Sequence, residues 1–349
     1  AGRSQPRLAP PRRRRLAVMC GRGACTLSAA RCSRIAGGAR VRNAHRLRPR
    51  YNLGPQGFVP VVTRSSSGSR ACAAGAQAAP PSELEVCAMK WSLVPSFAKR
   101  PEDYDVFKGG SSTFNARVES LEGSGLWRRL LDSHRGVVLL DGFYEWKAAG
   151  KAKVPMFFRH RDEYLGHTIH QPGADVLAND ASQASASPLL PVASATPPPS
   201  APTGGATAAA PAGDGPRHAP LMIAALFDKW RPGKGKDAAA DAEGPEAAEP
   251  LETVTIVTMD SVGTPVSAIH DRMPVFLTPE TAAAWLDTAT PYAKVIGPVL
   301  QSAAVVAKQL LMYEVAPLVS NVKNESPDCI LSKKEHDAKQ FSKGLGKFF

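Results

Sequence analysis

The chain lacks the features that mark three common protein classes. No uninterrupted apolar run approaches the ~18 residues of a membrane-spanning helix, which excludes a protein that spans a bilayer with helices. Six unevenly spaced cysteines in 349 residues do not make the framework of a small secreted protein. Hydrophobic residues make up 43%, too many for a wholly disordered chain. We therefore expect a soluble intracellular protein with reduced thiols.

Acidic side chains and lysine are both absent from the first 50 residues, which contain 14 arginines. The rest of the chain carries 29 basic against 31 acidic residues, so the positive charge lies at the amino-terminal end. Such a field suits a phosphate backbone or another acidic partner, although an arginine-biased composition explains it equally well. Residues 1–18 show no apolar periodicity. They are interpreted as a basic disordered leader, a transit peptide or sequence upstream of a start at Met19.

Three segments consist mainly of small and polar residues and are predicted to be disordered insertions: 65–81, 171–220 and 232–250. Strand-like runs bounded by Gly, Pro or polar clusters occur at 59–63, 137–141, 154–159, 221–227 and 253–259. Thr278 followed by Pro279 predicts a helix start, and the helix should run to about Thr288 and bury Trp285. Strands outnumber helices without regular βαβ spacing. The expected fold class is α+β or largely antiparallel β.

Several side chains capable of covalent chemistry occur in unusual surroundings. A thiol, an amide, a carboxylate, an imidazole and guanidiniums would together form a nucleophilic site with acid–base groups and an anion clamp. Each also has an ordinary structural explanation: Glu145 as a strand residue that faces solvent, His270 as a core or loop histidine, Asn115 in an Asx-turn and Arg117 in a surface ion pair.

Seven motifs occur in an order that resembles the SOS-response-associated peptidase (SRAP) family. They are Met19-Cys20-Gly21-Arg22, the segment 50–55 (RYNLGP), 91–95 (WSLVP), 115–119 (NARVE), 141–146 (DGFYEW), 269–274 (IHDRMP) and 319–324 (VSNVKN). The resemblance covers residues 19 to about 331. It implies one domain with antiparallel and mixed β-sheets in a barrel-like arrangement and a few helices. Residues 332–349 remain as a Lys-rich tail.

The resemblance implies a DNA-damage protein that forms a covalent cross-link with abasic sites in single-stranded DNA. Cys20, once at the mature amino terminus, would supply an α-amine for an imine and a thiolate that closes a thiazolidine. Asn115 would orient the amine, Glu145 would assist ring opening, and His270 would move protons. The residues implied for DNA contact are Arg22, Asn52, Pro55, Phe97, Arg117 and Arg272.

Two features depart from the family pattern. Ser96-Phe97-Ala98 stands where the family often has an aromatic pair, which leaves Phe97 as a single stacking surface. The leader before Cys20 would block its amine, so removal of that leader, which the resemblance implies to be autoproteolytic, is expected to precede activity. No metal or other cofactor is expected, because Cys25, Cys32 and His45 lack the paired spacing of a zinc site. Cys87 and Cys329 are interpreted as small apolar residues.

Two alternatives to the cross-linking function stay open. One is a cysteine peptidase or amidase in which Cys20 attacks an amide, with hydrolase or lyase-type activity. The other is a non-catalytic nucleic-acid binder. The expected protein is a monomer located in the nucleus, or in an organelle if residues 1–18 are a transit peptide.

The carboxyl-terminal tail resembles a sliding-clamp-binding box. Leu345, Phe348 and Phe349 occupy its apolar positions, and Ser342 stands where glutamine is usual. A frayed lysine-rich tail is the equally weighted alternative.

Overall fold

The computed structural model describes residues 21–65, 84–161, 168–169, 218–232 and 249–345. The leader, Met19, Cys20, Phe348 and Phe349 lie outside these ranges. So does nearly all of the three segments predicted to be disordered insertions. The predictions made for those parts of the chain stay predictions.

Strands are the commonest regular structure in the described chain. Its fourteen strands are β1 Gly23–Cys25, β2 Arg40–Arg42, β3 Arg50–Leu53, β4 Phe58–Arg64, β5 Leu84–Trp91, β6 Asn115–Arg117, β7 Arg135–Leu140, β8 Gly142–Ala149, β9 Ala152–His160, β10 Leu221–Trp230, β11 Leu251–Asp260, β12 Arg272–Pro274, β13 Phe276–Leu277 and β14 Leu310–Glu314. The five predicted strands correspond to β4, β7, β9, β10 and β11 and are confirmed.

Helices are few in the described ranges. They are α1 Ala29–Ile35, α2 Gly125–Arg128, α3 Pro279–Leu286, α4 Tyr292–Lys308 and α5 Lys333–Leu345. The predicted helix start at Thr278 is confirmed, because its hydroxyl accepts a hydrogen bond from the Thr281 backbone and Thr281 reciprocates in a capping box. Helix α3 ends at Leu286, two residues earlier than predicted, where Asp287 leaves the helical conformation. None of these helices is long and apolar enough to cross a membrane.

Five strands close into a barrel. Antiparallel pairs run from β11 to β10, β7, β4 and β5, and a parallel pairing of β5 with β11 completes the ring through Lys90 opposite Thr253. Because β5 pairs with β11, the two strands that would otherwise be edge strands of this sheet pair with each other. Strands β2, β6, β12 and β13 extend the sheet outside the ring.

A second sheet has the order β14-β9-β8-β1-β3 and lies against the barrel. Phe143 of this sheet stacks on Phe158 with a centroid distance of 4.7 Å and contacts Phe276 of β13 at 5.7 Å. Beside the barrel, α3 inserts the buried Trp285, whose Nε1 donates to the Gly136 carbonyl at 3.0 Å. The expected α+β fold with antiparallel and mixed, barrel-like sheets is confirmed.

Candidate active site

The strand that follows Cys20 runs beside the strand that carries Glu145. Strand β1 is antiparallel to β8, with Gly23 opposite Phe143, and the Tyr144 amide donates to the Arg22 carbonyl at 2.9 Å. Extending this register by two positions sets Gly21 opposite Glu145. On the other side of β8, the close approach of β9 requires Gly142, where a Cβ atom would lie 2.3 Å from the Phe157 ring. The residue before Gly21 is therefore linked directly to the position opposite Glu145.

Glu145 is buried, with 2% of its surface exposed. The alternative that it is a strand residue facing solvent is therefore wrong. Buried carboxyl groups are among the side chains that proteins use for proton transfer.

The buried carboxylate of Asp141, which was not predicted as a site residue, holds the chain in place just after β1. Asp141 accepts hydrogen bonds from both the backbone amide and the hydroxyl of Thr26, and its own amide donates to the Ala24 carbonyl at 2.9 Å. Burial raises the pKa of Asp141, and the Thr26 hydrogen bonds oppose that shift. Asp141 begins the DGFYEW motif, but nothing in the sequence identified Thr26 as its partner.

Three residues predicted to contact DNA are directed into the protein. The Arg22 guanidinium donates to the Asn52 side-chain oxygen at 2.7 Å, and Asn52 is fully buried. Pro55 is also buried, in the turn after β3. The next residue, Gln56, adopts a φ of 72° and donates its amide to the Trp91 carbonyl at 2.6 Å. This hydrogen bond joins the WSLVP motif to the residue that directly follows the RYNLGP motif.

Asn115 and Arg117 lie on β6, which pairs in parallel with β11 opposite Ile256 and Thr258. The indole of Trp91 donates to the carbonyl of the residue before Asn115 at 2.8 Å. Asn115 is half-buried, whereas Arg117 is exposed. Of the predicted phosphate contacts in this part of the structure, Arg117 is the one whose side chain reaches solvent.

His270 and Arg272 lie at the other side of the same end of β11. The Arg272 guanidinium makes a bidentate ion pair with Glu119 at 2.6 and 2.9 Å and also donates to the Thr258 carbonyl. This pairing lowers the pKa of Glu119. It links the NARVE and IHDRMP motifs, and its geometry shows that Arg272 holds the fold together at this point.

The ring of His270 is held by its own loop. Its Nδ1 lies 3.0 Å from the Arg272 backbone amide and 3.0 Å from the Asp271 carboxylate. The proton-transfer role predicted for His270 stays a prediction.

Phe97 is exposed over 63% of its surface, and the Arg129 guanidinium lies 5.1 Å from its ring centroid. Its loop is anchored by the Ser96 amide, which donates to Asp228 at 2.7 Å. An exposed ring on an anchored loop beside a cation is suited to base stacking next to a phosphate. The stacking role predicted for Phe97 stays a prediction.

The described cysteines are poor nucleophiles. Cys25, Cys32, Cys87 and Cys329 are buried. Burial raises the pKa of the Cys25 thiol strongly, that of Cys32 and Cys87 to about 12, and that of Cys329 to about 11. A thiol with so high a pKa holds almost no thiolate at neutral pH. Within the described ranges, no group of three or more His, Cys, Asp or Glu side chains is arranged to hold a metal ion.

Hydrogen bonds connect all seven sequence motifs, either directly or through the residue next to a motif. One group in the second sheet joins the CGR, RYNLGP, DGFYEW and VSNVKN motifs through Arg22, Asn52 and Val319. The other group, at the end of β11, joins the NARVE and IHDRMP motifs. The WSLVP motif bridges the two groups through Gln56 and Phe114.

Comparison with known proteins agrees with this arrangement. The family model described as SOS response associated peptidase (SRAP) matches residues 19–322. The abasic site processing protein HMCES of Gallus gallus is 31% identical over 326 residues, which cover 90% of this chain and 77% of that protein. The abasic site processing protein YoqW of Bacillus subtilis is 24% identical over 285 residues, covering 81% of this chain and 86% of that protein.

The fold is shared with solved structures of low sequence identity. A Bacteroides thetaiotaomicron protein superposes with a TM-score of 0.54 at 16% identity, covering 90% of this chain and 99% of that one. A Bordetella bronchiseptica protein gives a TM-score of 0.50 at 17% identity, covering 85% and 100%. Because the family model spans most of the chain and a relative above 30% identity is matched over most of its length, this protein belongs to the SRAP family.

Proposed function

We propose that this protein is an abasic-site sensor that cross-links to single-stranded DNA through Cys20. The α-amine attacks the aldehyde carbon of the opened sugar and, with loss of one water, forms an imine. The thiol then adds across the C=N bond, so that a C–S bond forms and the proton moves to nitrogen. The product is a thiazolidine, and the whole sequence releases a single water molecule.

The observation that carries the proposal is the register of β1 against β8. It brings the residue that follows Cys20 opposite the buried Glu145. Glu145 would exchange protons during ring opening and imine formation, with His270 as the second proton carrier. The four described cysteines are buried and weakly acidic thiols, so none of them competes as the nucleophile. The relatives named abasic site processing proteins support the choice of an abasic substrate.

Denaturing electrophoresis with abasic and intact oligonucleotides tests the function. A chain that starts at Cys20 should give a covalent band with the abasic strand alone. A chain that keeps residues 1–19 should give none until it is processed, because an amide then occupies the Cys20 nitrogen. Peptide hydrolysis without a covalent band would instead favour the cysteine peptidase. A cross-link formed with the leader still attached would show that another nucleophile reacts.

Arg117 is proposed as a phosphate contact, and Arg117→Ala should weaken binding to any single strand. Loss of one phosphate contact reduces the salt slope of log K by about 0.7. Fluorescence anisotropy titrations at several salt concentrations measure it. Arg231→Ala is the matched control. Arg231 is also exposed, but it directly follows β10 beside the Leu251 end of β11, roughly 26 Å along the strand from Thr258, which pairs with Arg117. Equal salt slopes for both variants and the unsubstituted chain would show that Arg117 does not contact a phosphate.

The carboxyl-terminal segment is proposed to bind a sliding clamp. Helix α5 carries Lys333, Lys334, Lys339 and Lys343, and Phe341 on the same helix is 70% exposed. Lysines near an apolar anchor would speed encounter with an acidic rim. We expect micromolar affinity at best for the full chain by calorimetry, and loss of binding in the Phe348→Ala/Phe349→Ala chain. Indistinguishable isotherms for the two chains would leave the tail without this partner.

A further inference from the structure

Arg22 is held by three groups from distant parts of the chain. Its Nη1 donates to the Asn52 side-chain oxygen at 2.7 Å and to the Val319 carbonyl at 3.1 Å, and the guanidinium lies 5.5 Å from the Trp146 ring centroid. Loss of hydration by burial lowers the pKa of Arg22, and the charge of Glu325 opposes that shift. The two fixed oxygens and the ring therefore determine where the arginine lies.

Asn52 has its amide group fixed from the other side. Its Nδ2 donates to the carbonyls of Val319 at 3.0 Å and Asn321 at 2.9 Å, so its oxygen must face Arg22. Asn52 is fully buried. Both donors and the oxygen are thus used within the protein, which argues for a role in positioning Arg22.

Glu325 ties the 319–325 segment to β3. Its Oε2 accepts the backbone amides of Tyr51 at 3.1 Å and Asn52 at 3.3 Å, while its Oε1 accepts Arg50 Nε at 2.7 Å. It lies three residues beyond the last position that the SRAP family model matches. Removing the carboxylate would release two strand amides and loosen the segment that carries Val319.

We infer that residues 319–325 form a brace that fixes Arg22, and that Asn52 and Glu325 are positioning residues for the cross-linking step. The inference rests on the proposed function of Cys20. Arg22 is two residues from Cys20, and its carbonyl accepts the amide of Tyr144, the neighbour of Glu145. An amino-terminal nucleophile has no preceding chain to hold it, so its orientation depends on the contacts that hold the residues after it. The contacts of the brace with Arg22 supply that restraint.

The first test compares Glu325→Ala with Glu325→Gln. The rate of adduct formation at saturating abasic strand should fall by about 10-fold in Glu325→Ala, since small displacements of reacting groups cost up to ~10²-fold. Glu325→Gln should keep most of the rate, because its side-chain oxygen still accepts the Tyr51 and Asn52 amides. Affinity for an intact strand should not change in either. Glu85→Gln is the control, since Glu85 pairs with Arg42 at the far end of the barrel and its loss should leave the rate unaltered.

Arg22→Lys provides the second test and separates the brace from a phosphate contact. Lysine keeps the positive charge, but it is shorter and lacks the planar guanidinium, so it cannot hold the Asn52 and Val319 oxygens and lie against the Trp146 ring at the same time. We expect a slower cross-linking rate with an unchanged salt slope for DNA binding. An unchanged rate in both Glu325→Ala and Arg22→Lys would overturn the brace. No covalent band from the unsubstituted chain would instead refute the proposed function, so the two failures are distinguishable.

Discussion

Cys20→Ser and Cys20→Ala should each abolish the heat-stable adduct with an abasic strand. Thiazolidine closure needs an amine and a thiol on adjacent carbons of one residue, which serine and alanine do not offer. The amine persists in both variants, so the imine can still form. Reduction with borohydride should trap this imine as a covalent band that is absent without the reductant. Denaturing gels with and without reduction therefore separate the two chemical steps.

Cys25→Ala is the matched control for Cys20. Cys25 is 5% exposed, its Sγ donates to the Leu139 carbonyl at 3.7 Å, and burial raises the pKa of its thiol. Its loss should cost roughly 1 kcal/mol of stability as a small truncation in the core, without loss of the adduct. A heat-stable band from Cys20→Ser, or loss of the band in a folded Cys25→Ala chain, would contradict the thiazolidine mechanism.

Local sequence signals were sufficient for part of the fold. The runs that became β4, β7, β9, β10 and β11 are rich in β-branched and apolar residues, and four of these strands belong to the barrel wall. Helix α3 starts at Thr278-Pro279, and the Thr278 hydroxyl caps the helix by accepting a hydrogen bond from the Thr281 backbone, three residues along the chain. In these elements the interactions that determine the structure lie within a few residues.

Helix α4 could not be predicted in the same way. Pro291 stands at its N-cap without a side-chain hydrogen bond, and Pro298 lies inside the helix next to Gly297. These residues are typical of a break in a helix. The helix forms because its apolar face, which includes Val295 and Val299, is buried against the rest of the protein.

In the candidate site, too, local sequence predicted part of the structure and distant contacts determined the rest. Motif order identified the residues, but it could not show which way their side chains face. Arg22 and Arg272 were both predicted to meet phosphates, yet their hydrogen-bond partners Val319 and Glu119 are 297 and 153 residues away in sequence. An arginine that binds within the fold and one that binds DNA have the same local sequence signal. Arg117 is exposed, and its predicted contact with a DNA phosphate stays a prediction.

The second large effect is expected at Glu145, where Glu145→Gln should slow adduct formation while DNA affinity stays nearly unchanged. Glutamine keeps the shape of the side chain but cannot accept and return a proton during ring opening and imine formation. General acid–base groups typically contribute ~10²–10⁴-fold to the rate, and we expect a loss in that range. Single-turnover gels at saturating abasic strand measure the rate, and anisotropy with an intact strand measures affinity.

Glu252→Gln separates proton transfer from the loss of any buried carboxylate. Glu252 is 4% exposed, on β11, and accepts hydrogen bonds from Arg42 and Cys87. Burial alone would raise the pKa of Glu252, but the hydrogen bonds from Arg42 and Cys87 and the charges of Arg42 and Lys229 together outweigh it, and the pKa is lowered to about 2. Its substitution should therefore lower the melting temperature and leave the cross-linking rate of the folded chain intact. If Glu145→Gln behaved like Glu252→Gln, with reduced stability and an undiminished rate, the buried carboxylate of β8 would be part of the packing and the proton would have to move through another group.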